Sequence, residues 1–201
     1  GNGETPLIIA TRSRNLGIVQ LLLAANANLE DTPSAVTDQN TALIKAFEMG
    51  QWEIAFALIG AGANVNATNA QGQTVLTLAV IQGGPNVVQR VINAGTNLNA
   101  VDNIGWTAVM HATRRQYAQT LQVLIAAGAN VNIANAQGTP PLHLAVRFSY
   151  ARIVQVLLNA DGIIINTTDN TNSSLLREAR GNPEIRQLLE EAIQRAASAQ
   201  N

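Results

Sequence analysis

The stretch Gly138-Thr139-Pro140-Pro141-Leu142-His143-Leu144-Ala145 decides how the chain is read. Proline at the start of a helix has the right φ and no N–H to waste, so this segment predicts a sharp helix start. The same start recurs along the chain as Thr5-Pro6-Leu7, Thr41-Ala42-Leu43, Thr74-Val75-Leu76, Thr107-Ala108-Val109, Pro140-Pro141-Leu142 and Ser174-Leu175-Leu176. The spacings are 36, 33, 33, 33 and 34 residues. Five residues after each start stands alanine: Ala10, Ala46, Ala79, Ala112, Ala145 and Ala179.

Two further registers agree with this period. A second helix is marked by Ile18-Val19, Ile54-Ala55, Val87-Val88, Thr120-Leu121, Ile153-Val154 and Ile185-Arg186, each followed by an apolar pair. Gly62, Gly95 and Gly128 then open the closing segments Gly62-Ala63-Asn64-Val65-Asn66, Gly95-Thr96-Asn97-Leu98-Asn99 and Gly128-Ala129-Asn130-Val131-Asn132. A repeat of this length means a stack of small units, none able to bury its own apolar face alone. These residues resemble the ankyrin repeat, with its G-x-T-P-L-H-x-A opening, its I-V-x-x-L-L second helix and its G-A-D-V-N close. The resemblance covers nearly everything from Gly3 to Ala192.

The chemistry of each register fits that reading. Thr or Ser ahead of a helix accepts a backbone N–H that has no partner inside it. Alanine lets the first helix lie close to its neighbours, while Leu22-Leu23, Leu58-Ile59, Val91-Ile92, Leu124-Ile125 and Leu157-Leu158 are expected to fill the space between layers. Glycine after the second helix suits a left-handed cap, and Asn26 takes that place in the first repeat. The fold class is therefore all-α, an ankyrin-type solenoid of about six stacked helix-turn-helix repeats with projecting turns. One domain is expected over 1–201, with repeats at about 1–35, 36–68, 69–101, 102–134, 135–168 and 169–192, and a fraying tail at 193–201. Asp31-Thr32-Pro33-Ser34-Ala35 reads as an enlarged loop, and Asp161-Gly162-Ile163-Ile164-Ile165-Asn166 carries one extra residue. The sixth repeat is shortened at Arg180-Gly181-Asn182-Pro183-Glu184 and is charged enough to serve as a polar cap.

Composition narrows the function classes. The net charge is −1 and only 12% of residues are charged, about half the usual share, so nothing supports bulk attraction to nucleic acid or anionic lipid. Cysteine is absent, which removes disulfides, thiolate nucleophiles and Cys-based metal sites. No apolar run approaches the ~18 residues of a membrane span. Gly1-Asn2-Gly3-Glu4 lacks the basic-then-apolar pattern of a secretory signal, and the missing initiator Met leaves processing or excision open. The lack of Cys and the neutral polar composition lean towards a bacterial periplasmic or secreted setting rather than a cytoplasmic one.

No catalytic constellation emerges. His143 fills the T-P-L-H position, for which the resemblance implies a structural hydrogen bond, and His111 sits one place along. Neither is paired with a nucleophile, and no carboxylate recurs at metal-ligand spacing. Gly60-Ala61-Gly62-Ala63 closes a helix instead of opening one and lacks the Lys-Ser/Thr of a phosphate loop. The sequons at Asn66, Asn166 and Asn172 are chance matches in an Asn-rich chain. The protein is thus read as no enzyme, with no cofactor and no metal.

What remains is surface. The resemblance implies a partner along the turn tips and the inner-helix face. The positions after the opening helix's Ala-x pair are Arg12 and Ser13, Glu48 and Met49, Ile81 and Gln82, Arg114 and Arg115, and Arg147 and Phe148. The residues before each Thr are Asn40, Gln73, Trp106 and Thr139, while Tyr117 and Tyr150 begin second helices. The candidate partner-binding set is therefore Trp106, Arg114, Arg115, Tyr117, Arg147, Phe148, Tyr150, Glu48, Met49 and Gln82. Four of the seven aromatics fall in the fourth and fifth repeats, alongside three arginines, and Arg, Trp and Tyr are the residues enriched at binding hot spots. The alternative is that the aromatics fill gaps at layer edges while the arginines are merely solvated. Trp52 takes that plainer reading.

Residues 1–60 carry net charge −3, residues 61–160 carry +4 and residues 161–201 carry −2. A partner protein with an acidic segment, met by forked guanidinium groups, suits the centre. The expected function is a monomeric protein-protein interaction module with no nucleic-acid partner and no membrane insertion. The alternative is a regulatory or targeting segment excised from a larger channel, enzyme or effector, which the absence of a polar capping helix ahead of Gly3 favours.

Overall fold

The computed structural model describes residues 3–33, 40–165 and 175–198. Ser34 and Ala35 of the enlarged loop, the sequons at Asn166 and Asn172, and the sixth start at Ser174 lie outside them. The chain divides into two compact units, Gly1–Asn103 and Ile104–Asn201. The first holds α1 (Pro6–Arg12), α2 (Leu16–Ala24), α3 (Ala42–Glu48), α4 (Trp52–Gly60), α5 (Val75–Gln82) and α6 (Gly84–Asn93). The second holds α7 (Ala108–Arg114), α8 (Ala118–Ala126), α9 (Pro141–Arg147), α10 (Ala151–Leu158), α11 (Leu175–Glu178), a 3₁₀ turn (Ala179–Gly181) and α12 (Pro183–Ser198). Among the described residues no β-strand is formed, only an isolated bridge between Thr68 and Thr74. Each unit is a stack of helix-turn-helix layers.

The helix starts lie where the Thr register places them. Thr5, Thr41, Thr74 and Thr107 accept the amides of Ile8, Ile44, Thr77 and Met110 through their hydroxyls. Pro140 has no side chain for this, and α9 relies on Pro141, whose missing N–H would be unpaired anyway. Each first helix packs on its own partner, and successive first helices pack on one another, α1 on α3, α3 on α5 and α7 on α9. The alanine register makes that approach possible: Ala10, Ala46, Ala79, Ala112, Ala145 and Ala179 are all buried. Leu58, Val91, Leu124, Leu157 and Leu189 fill the space beside them.

The first repeat departs from this pattern. Leu22 and Leu23 are only half-buried, and Val19 is the one buried residue of α2. Ile9, Ile18 and Leu21 stand 47%, 47% and 72% exposed. The register of Ile18 becomes an interlayer position in later repeats, where Ile54 and Ile153 are buried, and that of Ile9 does so at Leu78 and Leu144, whereas that of Leu21 falls on exposed Arg90. At the other end, α12 buries Ile185, Leu189 and Ala192 and turns Glu184, Arg186, Glu190, Glu191 and Arg195 outward. It continues to Ser198, since its i, i+4 pairs Arg186–Glu190 and Gln187–Glu191 hold the exposed face in helical geometry.

The closing segments are joined by asparagine. The first Asn of each pair, Asn64, Asn97 and Asn130, accepts the amide two residues on and closes its own turn. The second reaches forward one repeat. Asn66 Oδ1 accepts the Asn97 amide at 2.8 Å. Asn132 accepts the Ile164 amide at 2.9 Å and donates to the Gly162 carbonyl at 2.8 Å. Glu30 does the same in the first repeat, accepting the Asn64 amide at 2.8 Å. Asn69 and Asn135 shape the projecting turns, each accepting two backbone amides.

Two tests follow. Thr107→Ala should cost ~1 kcal/mol through the lost helix cap, read as a lower urea midpoint. Gly128 and Gly105 both have positive φ, 88° and 76°. A Cβ at Gly128 meets nothing within 4 Å, whereas one at Gly105 meets the Ala136 amide nitrogen at 2.5 Å. Gly128→Ala should therefore cost roughly 1–2 kcal/mol of backbone strain, and Gly105→Ala clearly more; equal urea midpoints for the two variants would refute this account of the turn.

Candidate functional site

The second unit assembles most of the expected binding residues from two adjoining repeats. Between α7 and α8 the chain reverses through Gln116 at φ 59°, and between α9 and α10 through Ser149 at φ 58°. These left-handed residues end each first helix abruptly. Arg114 and Arg115 close α7, and Arg147 and Phe148 close α9, so all four project at the same point of their repeats.

Arg114 is held by the next repeat. Its Nη1 donates to the Tyr150 hydroxyl at 2.7 Å, and its guanidinium carbon lies 4.5 Å from the centre of the Phe148 ring. Phe148 in turn stacks on Tyr150, with centroids 5.7 Å apart and planes inclined by 21°. Such a cation–π arrangement fixes a flexible side chain on an apolar support while leaving it accessible. Arg114 is exposed, as is Phe148 at 43%.

Arg115 turns the other way. Its Nη1 lies 3.3 Å from His111 Nδ1, and because a guanidinium can only donate, this contact calls for the neutral tautomer with the proton on Nε2. His111 is buried, with its ring 5.3 Å from that of Trp106. Trp106 is half-buried, so its indole both supports the imidazole and reaches the surface. Tyr117 precedes α8 and is 41% exposed, but no ring contact or side-chain hydrogen bond joins it to these groups.

Arg147 is differently placed. Its Nη2 donates to Glu178 Oε1 at 3.2 Å, and Glu178 Oε2 lies 3.9 Å from Nδ1 of buried His143. Glu178 thus reaches from α11 onto α9. The sequence offered its near-repeat spacing of 31 residues from Arg147 as a signal, but pairing between long charged side chains follows no register. Ile104 was also missed. It is 54% exposed at the turn next to Trp106, where the matching residues Gln71 and Gln137 are polar.

In the first unit Glu48, Met49 and Gln82 do come together, in an arrangement that holds the repeats. The Glu48 carboxylate accepts from Asn40 at 3.0 Å, Asn69 at 3.3 Å and Lys45 at 3.4 Å. Gln82 donates to the Glu48 carbonyl at 3.1 Å, and Met49 takes the C-cap of α3 with its sulfur 3.6 Å from Gln51 Nε2. Trp52 packs edge-on against Phe47 at 5.7 Å, as a gap-filling residue would.

Among the described residues no group of three or more His, Asp or Glu could hold a metal ion, and no helix is long and apolar enough to cross a membrane. No curated protein matches the chain. A solved ankyrin repeat domain from Acinetobacter baumannii AYE is similar at 30% identity with a TM-score of 0.85, covering 93% of this chain and 97% of that one. The family model for ankyrin repeats in three copies matches residues 1–69, 53–135 and 76–169. With the Thr caps, buried alanines and Asn-linked turns already described, that match leaves one assignment: the chain belongs to the ankyrin repeat family, whose members are generally protein-interaction modules.

Proposed function

We propose that this chain binds a partner protein through the surface formed by the fourth and fifth repeats, and that Arg114 receives a carboxylate from an acidic segment of that partner. One comparison carries the reading. At the end of each first helix, charged residues mostly meet an opposite charge within the chain: Arg12 pairs with Glu4 at 2.7 Å, Glu48 with Lys45 at 3.4 Å, and Arg147 with Glu178 at 3.2 Å. Among the described residues no carboxylate pairs with Arg114 or Arg115. Arg114 is held instead by a ring and a hydroxyl, which orient it without neutralising it.

Orientation matters because ordering a long side chain costs about 0.5–1.5 kcal/mol on binding. A guanidinium already supported by Phe148 and Tyr150 has met part of that cost in the free protein. The exposed apolar surface of Ile104, Trp106 and Phe148 lies in the same unit as the two arginines, the combination of an aromatic anchor and forked donor found at hot spots. Enzymatic function has no support from paired nucleophile and base.

A second reading, in which the chain works as part of a larger assembly, is favoured by the exposed Ile9, Ile18 and Leu21. The registers of Ile9 and Ile18 are buried between layers in later repeats, at Leu78, Leu144, Ile54 and Ile153, so a further helical layer would cover those two.

The test is capture of a partner from source lysate by the wild type, by Arg114→Ala with Arg115→Ala, and by Trp106→Ala, with circular dichroism confirming retained fold. Loss of a hot-spot residue removes ~2 kcal/mol or more, so the double arginine variant should weaken capture at least about thirtyfold. Undiminished capture by both variants would sink this assignment of the surface.

A further inference from the structure

Arg114 and Arg147 occupy the same register one repeat apart, yet the chain prepares them oppositely. Arg114 is exposed, stacked on Phe148 and hydrogen-bonded to a neutral hydroxyl. Arg147 is already engaged by the Glu178 carboxylate, which is mostly shielded from solvent at 15% side-chain exposure. Arg115, the third guanidinium, is directed to His111. The surface therefore offers Arg114 held by a ring and a hydroxyl with no carboxylate on it among the described residues, beside the exposed Phe148 ring, while one repeat further along the matching Arg147 is already met by Glu178.

We infer that the partner segment carries a carboxylate beside a bulky apolar side chain and none at the position one repeat further along that would meet Arg147, and that Glu178 is the residue that sets this preference. The inference rests on the assignment of the fourth and fifth repeats as the binding surface. A carboxylate forks onto Arg114, using N–H groups that Tyr150 does not take, while the neighbouring apolar side chain lies on the exposed Phe148 ring. A second carboxylate one repeat further along has to displace Glu178 from Arg147 or sit beside its negative charge. That is discrimination by repulsion, an unfavourable contact built against the wrong ligand. Glu178 is placed for the purpose by its helix α11, which packs on α9.

The geometry dictates the probes. Packed helices lie about 8–10 Å apart, and three residues of extended chain span ~10 Å, so two carboxylates three residues apart address both registers. Fluorescein-labelled Gly-Ser-Phe-Glu-Ser-Ser-Glu-Ser-Gly and its counterpart with Gln at the second Glu are titrated by anisotropy at low salt. The proteins are the wild type, Glu178→Gln and Arg114→Ala, each checked for unchanged urea unfolding. The wild type should bind the one-carboxylate peptide at least as tightly as the two-carboxylate peptide. Glu178→Gln, which keeps the shape and removes the charge, should favour the two-carboxylate peptide by roughly 1.5- to five-fold, the range of one exposed ion pair. A several-fold preference of the wild type for two carboxylates, or an unchanged ratio in Glu178→Gln, overturns the inference while leaving the surface assignment intact. Unaltered binding in Arg114→Ala, or no binding of either peptide to the wild type at millimolar concentration, overturns the surface assignment itself.

Discussion

The structure depends on how the closing turns satisfy their backbone amides. A turn at a layer edge presents N–H and C=O groups that helices cannot take up, and asparagine side chains meet them at the surface. The Asn-x-Asn pairs divide this labour. One amide oxygen closes its own turn, and the next reaches an amide in the following repeat, as from Asn66 to Asn97 and from Asn132 to Ile164. This division ties adjacent layers together at their edge in each unit, while the buried alanines bring the first helices close in the core. It also explains why so uncharged a chain is rich in asparagine: the side chain donates and accepts without carrying charge.

With the layers fixed, the surface follows. The left-handed residues Gln116 and Ser149 stop α7 and α9 at equivalent points, and the last residues of those helices point outward as a consequence. The Arg114 support is thus assembled from one repeat's helix end and the next repeat's turn. Glu48 shows the same register used otherwise: in the first unit the carboxylate gathers Asn40, Asn69 and Lys45 and serves cohesion. One structural position can hold the stack or face a partner, according to whether its neighbours supply the complementary charge.

Much of the fold was legible because its causes are local or periodic. The Thr caps, the buried alanines and the positive φ of Asn26, Gly62, Gly95 and Gly128 all follow from residue type at a fixed offset. The candidate surface was legible only as a set of positions. Aromatics and arginines at matching offsets indicated Arg114, Phe148 and Tyr150, which do meet, but offsets carry no information on which exposed charges find each other. Glu178 on Arg147 and the carboxamides on Glu48 depend on side-chain reach across layers. The half-burial of Leu22 and Leu23 was hidden for a related reason, since apolar type at an interlayer register says nothing about how much neighbouring surface covers it.

The hydrogen bond from Arg114 to Tyr150 links residues belonging to successive repeats. Repeat proteins change by gaining, losing and exchanging single repeats, and the Thr caps of α1, α3, α5 and α7 and the buried alanines survive such events because each belongs to its own repeat. The Arg114 support does not. Separating the fourth repeat from the fifth would leave an unsupported arginine on one side and an unoccupied pair of rings on the other. The heritable unit of recognition is therefore a pair of repeats, although the unit of sequence that recurs is one.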